Sequence, residues 1–425
     1  MQDKYNELFM LYIFLKKNML LLYLRCQHFM LMRFFYIISC VTFSLGLFAQ
    51  ITPQFYHEII TGAQQTKIYL PMLKNKRVAV VTNASGIIGK KHLIDTLLKH
   101  KIKIVKIFGP EHGFRGMADA GEKVKSGKDP ITGISVISLY GTHKKPTSED
   151  LKDIDVVVFD IQDVGVRFYT YISTMTYVME ACAENKKDLI ILDRPNPNGF
   201  YIDGPVMTEK YKSFLGLHQV PVVYGMTCGE YATMVNGEKW LKDSLNCKLT
   251  VIPLKNYNRS KFVSGLPIKP SPNLPNDTAI LLYPSLGLFE GTILSLGRGT
   301  NYPFQVLGSP NTTLFNFQFI PKSNEVSKKP KYQDTICFGM DFRRLFQEQL
   351  QAQSININWL SLFYEKTTEK QSVFFDRNFN YHAGNDELKL QISNKASEKE
   401  IRQSWESSIK TFKQIRKKYL IYKDF

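Results

Sequence analysis

Cysteine is scarce and unpatterned in this sequence. Of six, Cys26 and Cys40 fall before residue 50, and Cys182, Cys228, Cys247 and Cys337 are spread through the rest of the 425 residues. No pair has the short spacing of a zinc site, and four scattered thiols are not a disulfide framework, so buried free thiols are expected. No G-x-G-x-x-G opens a helix, which argues against a dinucleotide cofactor, and no G-x-S-x-G elbow supports a serine esterase. Metal-binding pairs of the H-x-x-x-H kind are missing too. Acidic residues are outnumbered, 38 against 55 Lys and Arg, for a net charge of +17. That excess is diffuse and accompanies no recognition motif, so nucleic acid is not indicated, whereas an acidic glycan or a membrane surface fits it. Beyond Gln50 no unbroken apolar run reaches spanning length.

What is present begins with a leader. Arg33 precedes the apolar run Phe34 to Phe48, and Ala49-Gln50 offers a small-residue cleavage point, the grammar of a secretory signal. Translation from Met30 or Met32 would leave residues 1–29 or 1–31 outside the product. Ile37-Ile38-Ser39-Cys40 resembles a lipoprotein cleavage box, so membrane anchoring through the N-terminal segment is the alternative to release. An apolar fraction of 44% with 22% charged residues is that of a soluble globular protein, and the length calls for two domains.

Past the leader, short β-branched runs alternate with helical stretches. Strands are expected at 77–82, 102–108, 134–139, 155–160, 188–193 and 249–254. Helices are expected at 92–99, 170–185, 226–241 and, with apolar residues at helical spacing from Ile401 to Tyr419, at the C-terminus. Alternation of this kind predicts an α/β fold with a doubly wound parallel sheet. The expected organisation is a leader over 1–49, a Rossmann-like α/β catalytic domain over 50–262 and a smaller α/β domain over 263–425, the boundary falling near the prolines at 267, 270, 272 and 275.

Strand ends in such a sheet form the ligand edge, and here they finish in polar clusters. Asn83 follows the first. The second runs into Phe108 to Gly116, where Glu111, His112 and Arg115 are packed among three glycines and a proline. Asp160, Gln162, Asp163, Arg167 and Tyr169 follow the fourth, and Asp193, Arg194 and Asn196 the fifth. Asp119, Glu122, Glu230, Asn273, Glu290, Arg298 and Thr300 complete the candidate set. Glycoside hydrolysis needs a carboxylic acid to protonate the leaving oxygen and a second group to stabilise or attack the developing cation. Glu111, in a constrained turn past a strand, suits the acid role, with His112, Asp160 and Asp163 as partners. A metal site of His112, Asp160, Asp163 and Asp193 is the competing reading.

The blocks Pro110-Glu-His-Gly-Phe-Arg-Gly116, Asp119-Ala-Gly-Glu122, Ser138-Leu-Tyr-Gly141, Phe159 to Tyr171, Leu192-Asp-Arg-Pro-Asn-Pro197, Gly225-Met-Thr-Cys-Gly-Glu230, Pro270-Ser-Pro-Asn273 and Gly297-Arg-Gly-Thr300 resemble, in order, the signatures of the bacterial exo-β-N-acetylmuramidases. The resemblance runs from about Arg77 to the C-terminal helix. It implies a Rossmann-like domain joined to a smaller α/β domain, with the active site in the cleft between them and no nucleotide or other cofactor. It also implies release of N-acetylmuramic acid from the non-reducing end of peptidoglycan-derived muropeptides or disaccharides, with Glu111 as acid. The family's Glu-Gly-Thr block usually continues with Asn, and this chain has Ile293 there. Two other functions suit the same residues: a metal-dependent deacetylase or amidase on cell-wall sugars, and a muropeptide-binding protein without turnover.

Overall fold

The computed structural model describes residues 58–114, 126–367 and 373–425, with Lys16, Lys17 and Met19. Arg115, Asp119, Glu122 and the secretory leader lie outside the described residues. Residues Ile59–Phe425 form one compact unit. Among the described residues no helix is long and apolar enough to cross a membrane.

Seven strands make the main sheet: β1 (Arg77–Thr82), β2 (Lys103–Gly109), β3 (Gly127–Lys128), β4 (Ser135–Ser138), β5 (Val156–Asp160), β6 (Asp188–Leu192) and β7 (Lys248–Ile252). Their order is β3-β4-β2-β1-β5-β6-β7, and all pairs are parallel except the short edge pair β3–β4. Set the edge strand aside and the order is that of the doubly wound dinucleotide folds, which reverses direction between β1 and β5. Both faces are covered, as the near-continuous apolar runs require. In β1, Ala79 and Val81 face one core with Met175, Met179 and Cys182, while Val78 and Val80 face the other with Tyr69, Leu93 and Leu97. The four cysteines from Cys182 onward are buried and free, as their scatter suggests.

The smaller second domain carries a three-stranded antiparallel sheet, Val306–Ser309, Phe317–Phe319 and Cys337–Asp341, with the last strand in the middle. Helices follow it in the chain, ending in Glu398–Lys417, which starts with a capping box between Ser397 and Glu400. That helix buries Ile401, Trp405 and Phe412, the stripe its periodicity predicts. The first core continues without a break into the second domain through Leu282, Phe289, Phe304 and Phe363.

Candidate active site

Glu111 is held at the end of β2 by a turn whose shape is set by its neighbours. His112 and Gly113 both adopt left-handed φ, 67° and 75°, and the Gly113 N–H donates to the Pro110 carbonyl at 2.9 Å. A histidine in that region is uncommon and signals a conformation fixed by its surroundings. Across the gap, Thr170 stands at the N-cap of the helix Tyr171–Glu184, yet its hydroxyl does not cap the helix. It donates instead to Glu111 Oε2 at 2.7 Å. A threonine at this position normally satisfies a helix N–H, so its diversion marks Glu111 as the group being oriented. The Tyr140 hydroxyl bonds the same carboxylate, and burial first, then the charge of Glu111, pushes that phenol well above its usual range.

A cavity of about 90 Å³ opens here. Glu111, His112, Phe168, Tyr169, Thr170 and Tyr171 line it from the sheet side, with Asn273, Tyr283, Glu290, Arg298 and Phe304 from later in the chain. Two carboxylates therefore share one small cavity, one held by hydroxyls and the other by cations. Burial alone would raise the Glu290 carboxyl, but Arg298 and His382 outweigh it and hold the group at about 2. Arg298 Nη2 donates to Glu290 Oε1 at 2.9 Å, His382 Nε2 stands 3.6 Å from Oε2, and the guanidinium lies 5.0 Å above the Phe304 ring. Arg298 Nη1 is buried with no hydrogen-bond partner among the described residues. The glycines beside Arg298 serve the turn rather than a ligand, since a Cβ would strike Val306 Cγ2 at Gly297 and the Lys322 carbonyl at Gly299, each at 2.5 Å. Thr300 closes the same turn through the Gly297 carbonyl at 2.7 Å. Tyr169 donates to the Pro270 carbonyl at 2.8 Å, tying the Pro-Ser-Pro-Asn block to the sheet.

Other predicted residues are brought to the same sheet edge but not to the cavity wall. Asp160, fully buried, is gripped by Arg194 through Nε at 2.6 Å and Nη2 at 3.0 Å. Asp163 accepts from Tyr224 and from the Gly165 N–H, and burial pushes it up to about 6. Asp193 is likewise pushed up to about 6 by burial, against donors from Tyr422, Thr227 and Gly229. Asn83 supports Tyr171 from below at 3.0 Å, Gln162 donates to Pro195, and Asn196 donates to Met226. Glu230 is a helix cap and the buried partner of Arg259, and it also accepts the N–H groups of Ile421 and Tyr422.

Arg167 gives Nη1 to the carbonyls of Pro205 and Val220 and Nη2 to those of His382 and Ala383, so it ties the sheet domain to the second domain. With no carboxylate beside it, burial lowers its pKa to about 9. The separated partners of Asp160, Asp163 and Asp193 do not gather them around a common point. Among the described residues no three His, Cys, Asp or Glu side chains are grouped to hold a metal ion. Ile293 packs against the core and gives its N–H to the Phe374 carbonyl at 3.0 Å.

Sequence reasoning missed Thr170, Tyr140, Tyr283, Phe304 and His382. Thr170 and Tyr140 sit inside the quoted blocks, but only folding brings their hydroxyls beside Glu111. His382 had no signal, since only folding brings it against Glu290. A larger cavity, about 450 Å³, lies against the C-terminal helix, where His218 stacks on Trp240 beside Phe412 and Ile415. None of the predicted site residues lines it, and the paired carboxylates make the smaller cavity the candidate active site.

A doubly wound sheet with two carboxylates and an arginine lining one pocket holds the groups that a glycoside hydrolase uses. More particularly, the chain belongs to the exo-β-N-acetylmuramidase family. Residues 78–278 match "Exo-beta-N-acetylmuramidase NamZ, N-terminal" and residues 281–422 match "Exo-beta-N-acetylmuramidase NamZ, C-terminal". It is 40% identical over 371 residues to the peptidoglycan beta-N-acetylmuramidase NamZ of Bacillus subtilis (strain 168), spanning 83% of this chain and 89% of that protein. Among solved structures it resembles a DUF1343 family protein of Bacteroides fragilis NCTC 9343 with a TM-score of 0.81 and 46% identity, covering 87% of this chain and 100% of the other. A second DUF1343 protein of that strain matches at 0.70 and 31%, covering 86% and 99%.

Proposed function

We propose that this chain is a secreted exo-β-N-acetylmuramidase that removes N-acetylmuramic acid from the non-reducing end of peptidoglycan fragments, with Glu111 as proton donor. The observation that carries the reading is the oriented Glu111 carboxyl in one cavity with the Arg298–Glu290 pair. Thr170 and Tyr140 fix the carboxyl in place, so that protonation of the glycosidic oxygen needs little reorganisation. Glu290 stays ionised beneath Arg298 and sets that guanidinium for the substrate's lactyl carboxylate. The leader from Arg33 to Ala49 supports work in the periplasm or cell envelope.

The test is Glu111→Gln, which keeps the shape and the Thr170 bond but has no proton to give. Cleavage of a chromogenic muramic acid glycoside should fall by about 100-fold or more. A substrate with a strongly acidic leaving group should recover part of the loss. Near-normal turnover by a folded Glu111→Gln protein refutes the assignment.

A further inference from the structure

We infer that Asn273 is the residue that reads the 2-acetamido group of the sugar, and so sets the enzyme's demand for an N-acetylated substrate. The inference rests on the muramidase reading above. Asn273 lines the cavity with Glu111 and Arg298 and is only 3% exposed, yet neither its Oδ1 nor its Nδ2 has a hydrogen-bond partner among the described residues. An asparagine in a turn ordinarily spends its side chain on nearby backbone. In this turn Ser271 does that work. Its Oγ accepts the Asn273 N–H at 3.1 Å, its carbonyl accepts the Leu274 N–H at 3.1 Å, and Tyr169 holds the Pro270 carbonyl. Pro270 and Pro272 restrict the backbone further. The turn is therefore rigid without help from the Asn273 amide, and that amide is held buried and idle.

Burying an amide without a partner works against folding, so an idle one in a cavity wall implies a partner supplied on binding. A carboxamide offers one acceptor and one pair of donors in a plane. An acetamido group offers the complement, an N–H for Oδ1 and a carbonyl for Nδ2. A sugar hydroxyl could meet one of these atoms, but a planar amide meets both at once. A second buried vacant donor in the cavity, Arg298 Nη1, has the opposite character, a cation suited to a carboxylate. Acetamide at Asn273 and lactyl carboxylate at Arg298 together describe N-acetylmuramic acid by its two distinguishing groups.

The experiment compares chromogenic glycosides of N-acetylmuramic acid and of N-deacetylated muramic acid, on the wild-type enzyme, Asn273→Ala and Asn273→Asp. Wild type should strongly favour the acetylated sugar, because a deacetylated one leaves the Asn273 amide unpaired. Asn273→Ala should lower kcat/KM on the acetylated glycoside about tenfold or more and leave the deacetylated one within about twofold, collapsing the ratio. Asn273→Asp, which has the same size but no N–H, should favour the ammonium-bearing deacetylated sugar. Equal losses on both glycosides in both variants, or no preference in wild type, overturn the inference. If wild type cleaves neither glycoside, the muramidase reading itself fails. The Asn273 assignment is then judged by calorimetry, where wild type must bind free N-acetylmuramic acid more tightly than muramic acid and Asn273→Ala must not.

Discussion

Replacing Arg298 by lysine asks whether a fork of donors, rather than positive charge, selects muramic acid over N-acetylglucosamine. The two sugars differ by a lactyl ether whose carboxylate is ionised at neutral pH. Arg298 serves two ends at once: Nη2 is committed to Glu290 at 2.9 Å, and Nη1 is buried without a partner among the described residues. A lysine brings one ammonium, which Glu290 claims first because the protein supplies that anion at all times. The substrate then loses one charge-assisted hydrogen bond, about 1.5–3 kcal/mol. The Arg298 side chain is 24% exposed, so solvent screening favours the lower half of that range, about 1.5–2 kcal/mol or roughly 10- to 30-fold. Because the contact exists before the glycosidic bond breaks, the loss should appear in KM, with kcat little changed. The assay is kcat/KM on paired chromogenic glycosides of the two sugars, with unfolding curves as the check on folding. An unchanged ratio in a folded Arg298→Lys enzyme refutes the reasoning.

Asp160→Asn should cost about 3–5 kcal/mol and lower Tm clearly, because it leaves the Arg194 guanidinium buried without its counter-charge; a variant that unfolds like wild type but has no activity would return Asp160 to a chemical role. Glu290, held at about 2 against an ordinary 4.5, contributes stability that is fully present above pH 4.5 and is lost as pH falls towards 2, up to about 3 kcal/mol. In Glu290→Gln that acid-side slope should disappear from unfolding free energies measured across the window, and a slope equal to wild type's would refute the linkage. Material from the native host should begin at or near Gln50 on N-terminal sequencing, whereas an intact Met1 in a cytoplasmic fraction overturns the export reading.

The sheet was legible because its strands are buried on both faces and so read as short apolar runs, the one signal that survives without knowledge of neighbours. β1 and β5 match their expected ranges to within a residue, and the C-terminal helix matches by its stripe of Ile401, Trp405 and Phe412. The placement of Glu111 was legible for a different reason: glycine and proline around a carboxylate past a strand describe a side chain held fixed at the sheet edge. The division of labour among the remaining polar residues was not. Asp160, Asp163 and Asp193 carry the same chemistry as Glu111 on paper, and only the structure shows Arg194, Tyr224 and Tyr422 taking them up. Arg167 and Arg298 carry the same side chain, yet four carbonyls surround one and a carboxylate meets the other. Side-chain partners remote in the chain, such as His382 for Glu290, leave no local trace.

This sheet has the strand order of a nucleotide-binding fold, and its reversal point lies between Thr82 and Asp160, which are paired in register. In dinucleotide folds glycines there make room for a pyrophosphate. Here the glycines make room for the chain's own polar side chains. A Cβ on Gly86 would meet Thr82 Oγ1 at 2.1 Å, and one on Gly165 would meet Asn196 Oδ1 at 2.1 Å. The Arg194–Asp160 pair occupies the point itself, with Arg194 Nη2 also donating to the Ile87 carbonyl at 3.0 Å. Filling the crevice moves the usable edge one strand outward, to the end of β2, where Glu111 stands, and towards the second domain that supplies Glu290 and Arg298. The density of aspartates at the strand ends is thus the plug, and the proposed acid Glu111 stands beside it. A phosphate-sized anion should therefore find no room at the reversal point even in an Asp160→Asn, Arg194→Met double variant, since Thr82 and Asn196 still fill the glycine positions.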